Sequence, residues 1–268
     1  LCNALAKKIY CTTPCNTTST AVARAREMSV WFQAEYLPRE KQSIKTMFAE
    51  TGASVLVVAD EQPVIHHWLN PHQALFFHPG MALQRIRAVQ NGERDRLLHV
   101  AGMKPGDSVL DATLGQGQDA LVFAHCVGER GRVEACERSW TVGRLFQFAQ
   151  AHMHPYPTMK SQIERVAVSI GNHYDWLVSM ADESVDVVYF DPMFRKPSIQ
   201  ESDLDTLRAF AYPQPLGTLA WSEACRVARR AVVLKERPTS GEFERFGLKP
   251  DKPRARIAYG VWLRDGEK

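Results

Sequence analysis

A chain of 268 residues with a 45% apolar share is long enough for one large domain, or for a small unit beside a medium one, around a real core. Its net charge of +3 and ordinary 24% charged share permit an RNA or DNA partner without demanding one. Six cysteines without a C-x-x-C pair argue against a zinc ribbon or redox dithiol. No signal-type apolar block opens the chain and no apolar run of about eighteen residues occurs, so the expectation is a soluble cytoplasmic protein with no membrane partner.

In chain order, residues 8–13 (K-K-I-Y-C-T) read as a short strand, and the Thr-, Asn- and Pro-rich stretch from Thr12 to Ser19 as a loop. Thr20 to Met28 is helical, with Ser19 or Thr20 as N-cap, and Trp31 to Leu37 reads as a strand stopped by Pro38. A helix over Gln42 to Glu50 follows Ser43 or Lys41 and is closed by Gly52. The strand Ser54 to Ala59 pairs with Val64 to Leu69 across the turn at Asp60–Pro63, completing a small α/β unit assigned to residues 1–78. His72 to Pro79 is a linker to two helices, Met81 to Val89 and Asp95 to Val100. His66, His67, His72 and His78 match no metal-ligand spacing, so no metal is expected.

From residue 79 to 268 a second domain alternates strands and helices. The strands are predicted at Val109–Leu110, Val133–Cys136, Val166–Ile170, Val185–Phe190 and Ala231–Lys235. Helices fall over Ala120–Cys126, Thr141–Ala151, Trp176–Met180, Leu204–Ala211 and Leu216–Arg229, and a late strand over Arg256–Leu263 suits a terminal antiparallel hairpin. The pattern predicts an α/β fold with a mostly parallel, Rossmann-like sheet and helices on both faces.

Two constellations carry chemistry. V-L-D-A-T-L-G-Q-G-Q-D, from Val109 to Asp119, reads as strand, glycine turn and helix, which lets backbone approach a nucleotide and aims a helix N-terminus at it. About twenty residues on, Glu137 ends the next strand, where an acid takes the two hydroxyls of a ribose. A tight turn without ligand would use the same glycines, and the full dinucleotide pattern is broken because Ala120 holds its last position. The second constellation is Asp191-Pro192-Met193-Phe194, at the end of the apolar strand V-D-V-V-Y-F. Asp191 and the carbonyl of Pro192 can accept hydrogen bonds from an exocyclic NH2, and Phe194 offers a face on which a base stacks.

D-A-T-L-G-Q-G-Q-D, C-E-R and Y-F-D-P-M-F together resemble the class I S-adenosylmethionine-dependent methyltransferases, and most nearly the RsmJ-type guanine-N2 methyltransferases of bacterial small-subunit ribosomal RNA. V-V-L-K-E-R-P at 232–238 and F-F-H-P-G-M-A at 76–82 are similar to stretches of the same family. The resemblance covers about residues 78–262 and implies S-adenosylmethionine as cofactor. It assigns cofactor contacts to Asp111, Ala112, Thr113, Gly115, Gly117, Gln118, Asp119, Glu137 and Arg138, with Asn172 and His173 near the adenine and Asp191 beside methyl donor and amine. It implies ribosomal RNA or the small ribosomal subunit as partner. Gln118 departs from the family's arginine, and Arg195-Lys196 from the residues after its D-P-M-F. Arg195, Lys196, Lys235 and Arg237, with Lys249, Lys252, Arg254 and Arg256, are candidate RNA contacts after the fourth and fifth strands, whereas Arg85 and Arg87 read as a solvated helix face. Methylation of another planar amine, NAD-dependent redox chemistry and RNA binding without catalysis are the alternatives.

Overall fold

A computed structural model describes residues 8–58, 63–67, 70–152, 156–192 and 214–264. Its first part holds β1 (Ile9–Thr12), α1 (Ser19–Trp31), β2 (Glu35–Tyr36), α2 (Ile44–Thr51), β3 (Ser54–Val58), β4 (Pro63–His67) and β5 (Asn70–Leu75). The strands form one sheet in the order β2-β1-β3-β4-β5. Thr18 caps α1 by accepting from the Ala21 N–H, and Ser43 caps α2, which Gly52 ends in the left-handed conformation.

Two elements differ from the sequence prediction. The strand expected over Trp31–Leu37 shrinks to Glu35–Tyr36, because α1 runs on through Trp31. That extra turn is held from outside: Arg144 donates to the Trp31 carbonyl at 2.7 Å and lies over its ring, and Phe148 meets the indole edge-on. Part of the expected linker, Asn70–Leu75, is a strand without a period-2 signal of its own. It exists because β4 offers an edge, pairing Ile65 with Leu75 and His66 with Ala74.

The second part holds α3 (Gly80–Gln90), α4 (Arg96–Val100), β6 (Ser108–Asp111), α5 (Gln118–Val127), β7 (Arg132–Glu137), α6 (Trp140–Ala151), α7 (Lys160–Glu164) and β8 (Val166–Ile170). It continues with α8 (His173–Ser179), β9 (Val185–Phe190), α9 (Thr218–Val227), β10 (Ala228–Glu236), α10 (Glu242–Arg245) and β11 (Ala258–Leu263). The sheet runs β11-β10-β9-β6-β7-β8, parallel except for β11, which forms the expected antiparallel hairpin with β10. β10 begins inside the helix predicted over Leu216–Arg229, since Ala228 already pairs with Val185 of β9. The helix predicted over Leu204–Ala211 lies outside the described residues.

β9 shows why a central strand reads as an unbroken apolar run. Val187 and Tyr189 pack into the core under α5, while Val188 and Phe190 pack against α9 on the other face. The first of these cores also takes in Leu56, Ile65 and Leu75, so the two sheets share one continuous interior. Among the described residues no helix is long and apolar enough to cross a membrane.

Candidate functional site

The parallel strands end on one edge of the sheet, and their last residues meet there: Asp111 from β6, Glu137 from β7, Asp191 just past β9 and Lys235 near the end of β10. These four line a single cavity of about 920 Å³. One wall is the approach to α3, with Phe76, His78 and Met81; the facing wall is the start of α9 around Leu219.

The glycine turn is built by backbone. Ala112 N–H donates to the Tyr189 carbonyl at 2.9 Å and Leu114 N–H to that of Cys136 at 3.0 Å, which stitches the turn to β9 and β7. Gly115 and Gly117 have φ of +54° and +75°. A Cβ on Gly117 would sit 2.2 Å from the Phe146 ring. Gly117→Ala is therefore expected to cost about 2–4 kcal/mol, combining left-handed strain with overpacking. Gly52→Ala, also at positive φ but with nothing within 4 Å, is expected to cost only about 1–2 kcal/mol; urea unfolding of the two variants measures the difference.

The acids of the turn have separate partners. Asp111 is buried and accepts from the Thr113 N–H at 3.1 Å; burial pushes its carboxyl well above the usual range. Glu137 accepts from Gly115 N–H at 2.8 Å and Ser139 N–H at 2.7 Å, and burial raises its carboxyl against those bonds. Gln118 spends its carboxamide on the entry to α3: its oxygen accepts from Ala82 N–H at 2.7 Å and its NH2 donates to the His78 carbonyl. That contact ties F-F-H-P-G-M-A to the turn.

Asp119 is the hub of a buried charge chain. Its carboxylate takes the Tyr189 hydroxyl at 2.7 Å, Lys235 Nζ at 2.9 Å and Arg85, which also grips Asp95 through two hydrogen bonds. Burial opposes its ionisation, but Lys235 and Arg85 outweigh that penalty and hold the carboxyl well below its usual value. Lys235 Nζ also lies 2.8 Å from Asp191 Oδ2. Burial raises the Asp191 carboxyl against the pull of Lys235, and Asp119 adds to the rise. Asp191 is held by its backbone as well, donating its N–H to Thr113 Oγ1 at 2.6 Å.

The geometry corrects two expectations. Lys235, grouped with RNA contacts on sequence, is a cavity residue committed to two carboxylates, its side chain 18% exposed. Arg85 is not part of a solvated face but bridges Asp95 and Asp119; Arg87, one helix position pair away, is exposed as expected. Strand register could have found Lys235: Phe190 lies opposite Leu234, so the next residues, Asp191 and Lys235, fall side by side. Arg85 had no such signal, since its contacts depend on how α3 packs on α5.

The remaining site residues lie around the mouth. Asn172 caps α8 by accepting from the Tyr174 N–H; His173 meets Phe190 edge-on, and burial, with Arg138 nearby, lowers its titration. Arg138 donates to Gln214 Oε1 at 2.9 Å. Pro192 lines the cavity. Phe194, Arg195 and Lys196 lie outside the described residues, Arg237 is half-buried, and no metal-binding cluster occurs among the described residues.

Beside Lys235, Glu236 is buried and accepts from the Arg237 N–H, and burial lifts its carboxyl to about 7. With an ordinary value of 4.5 in the unfolded chain, its penalty is absent at pH 4 and complete at pH 8, on the order of 3 kcal/mol. Glu236→Gln is thus expected to raise the melting temperature at pH 8 by roughly 5–10 °C and to leave it unchanged at pH 4.

Comparison with known proteins agrees with this architecture. Residues 43–256 match a family model described as "Putative SAM-dependent methyltransferase". The chain is 33% identical over 245 residues to the uncharacterized protein YpiP of Bacillus subtilis (strain 168), covering 90% of this chain and 93% of that one. It is 32% identical over 166 residues to ribosomal RNA small subunit methyltransferase J of Nitrosococcus oceani, covering 60% of this chain and 63% of that protein. In three dimensions it is similar to the crystal structure of the SAM-dependent methyltransferase NGO1261 from Neisseria gonorrhoeae, with a TM-score of 0.60, 16% identity and coverage of 97% and 98% of the two chains.

Proposed function

The chain belongs to the SAM-dependent methyltransferases, so its cofactor is S-adenosylmethionine, and from that premise we propose that it methylates the exocyclic N2 amine of a guanine in small-subunit ribosomal RNA. The observation that carries this reading is Asp191-Pro192 at the end of β9, with the Asp191 carboxylate in the same cavity as the glycine turn.

The cavity suits the cofactor. It is large enough, the turn keeps Cβ atoms away from a ligand at Gly115 and Gly117, and its floor carries acids suited to a cation. On this reading Asp111, Ala112, Thr113 and Gly115 hold the amino-acid end, Glu137 the ribose and Asn172–His173 the adenine. Gln118 and Asp119 act one step back, shaping the turn and its charge rather than touching the cofactor. When bound, the cofactor supplies a reactive methyl on a sulfonium.

The chain supplies alignment and desolvation. Asp191, with Lys235 on Oδ2, offers Oδ1 to the amine N–H, and the Pro192 carbonyl takes the other N–H. Those two acceptors hold the NH2 and aim its lone pair at the methyl donor. The amine gives up its proton after transfer, to Asp191 or water, so no strong base is required. An RNA partner is supported by Lys249, Lys252 and Arg254, all exposed, on the loop between β10 and β11. Because Ala258 pairs with Glu236, that loop hangs from the cavity edge of the sheet.

The test is transfer of tritiated methyl to unmodified small-subunit ribosomal RNA, followed by digestion to nucleosides. Label in N2-methylguanosine is expected. Label in another base, or in protein or DNA offered in the same assay and not in RNA, would replace the substrate. Mass-spectrometric mapping of ribosomal RNA from cells lacking the protein identifies the nucleotide.

A further inference from the structure

We infer that Lys235 is a positioning residue for methyl transfer, clamping the Asp191 carboxylate as an anion turned toward the acceptor amine. The inference rests on the reading that Asp191 meets that amine.

The clamp is built across two strands and a helix. Parallel register sets Lys235 of β10 beside Asp191 at the end of β9. Its Nζ bridges two carboxylates, 2.8 Å from Asp191 Oδ2 and 2.9 Å from Asp119 Oδ2. The second carboxylate keeps the ammonium from swinging away, because Asp119 is itself gripped by Arg85 and by the Tyr189 hydroxyl, and Arg85 is braced by Asp95. An ammonium pinned at its far side can occupy one oxygen of Asp191 without moving, which orients the whole carboxylate. A lysine reaching out to phosphate would need the opposite: exposure and freedom.

The same contact matters for charge. Asp191 faces Asp119 on α5, Asp111 on β6, Tyr189 on its own strand and Glu236 on β10. The cations near it are Lys235 and, farther along the chain of contacts, Arg85; Tyr259 of β11 faces Lys235. Take Lys235 away and burial and Asp119 both favour a protonated Asp191, which can no longer accept from the amine on both oxygens.

The experiment uses the full chain and the variants Lys235→Met and Lys235→Gln. Carbon-13 NMR follows the Asp191 carboxyl, assigned through Asp191→Asn. In both Lys235 variants it is expected to titrate about one to three pH units higher than in wild type. With ribosomal RNA as acceptor, the acid limb of the kcat–pH profile should move up by the same amount, while calorimetry at pH 8 shows S-adenosylmethionine affinity within about threefold. A structural role alone would lower kcat and leave the acid limb where it was, and that result overturns the inference, as does an unmoved carboxyl titration. If Lys235→Met does not fold, Lys235→Gln, which keeps a donor between the two aspartates, carries the same expectation. A wild-type enzyme inactive on RNA sinks the substrate reading separately, since the carboxyl titration needs no acceptor.

Discussion

Asp191→Ala is expected to slow methyl transfer on the order of a thousandfold or more, about 4 kcal/mol of transition-state stabilisation, while S-adenosylmethionine affinity stays within about threefold. The asymmetry follows from where Asp191 is anchored. Its link to the glycine turn is its backbone N–H on Thr113 Oγ1, which alanine keeps. Its side chain faces Lys235, which retains Asp119 as a partner when Asp191 is truncated. The cofactor side of the cavity is thus preserved while the acceptor amine loses the group that orients it. Single-turnover transfer of labelled methyl, with calorimetry on the same protein, separates the two effects. Turnover at the wild-type rate would remove Asp191 from the mechanism, and a parallel collapse of cofactor affinity would move it from the acceptor to the cofactor.

Asp119→Ala is expected to be the most destabilising change in the site, at about 3–5 kcal/mol, or a drop in melting temperature of roughly 10 °C. Three donors converge on this carboxylate, from α3, β9 and β10, and all three stay in place when it goes. Arg85 still has Asp95 and Lys235 still has Asp191, but two cations and a buried hydroxyl lose their common acceptor. Asp119→Asn, which keeps the shape and loses the charge, should fall between wild type and alanine. Thermal and urea unfolding measure both. A melting temperature within about 2 °C of wild type would mean that the surrounding groups relax to water and that the chain of contacts contributes little.

The glycine turn was legible because its cause is local. Positive φ at Gly115 and Gly117 is a property of the backbone there, and Gly117 is further required by the Phe146 ring. The strands of the parallel sheet were legible for a similar reason: both faces of β9 are buried, so its apolar run carries no polar interruption except at its ends. F-F-H-P-G-M-A was recognisable, and Gln118 shows what joins it to the turn: one carboxamide bonded to His78 and Ala82. Elements that depend on a distant neighbour were not legible. Trp31 reads as the start of a strand, and only Arg144 and Phe148, on α6, keep it helical. Asn70–Leu75 has no strand pattern until β4 stands beside it.

The charged residues divide in the same way. Lys235, Arg85 and the basic positions of the 249–256 loop are indistinguishable as a list of cations. Packing separates them, placing the first two among buried carboxylates and leaving Lys249, Lys252 and Arg254 exposed at the cavity edge. The sequence by itself determined the α/β class, the cofactor-type turn and the position of Asp191-Pro192 after an apolar strand, because turn geometry and burial period are written in neighbouring residues. Only the tertiary structure decided which partner each acid takes. The contacts that join Asp95, Arg85, Asp119, Lys235 and Asp191 exist because α3, α5, β9 and β10 converge, and their pairing is a matter of distance and burial that residue order does not encode.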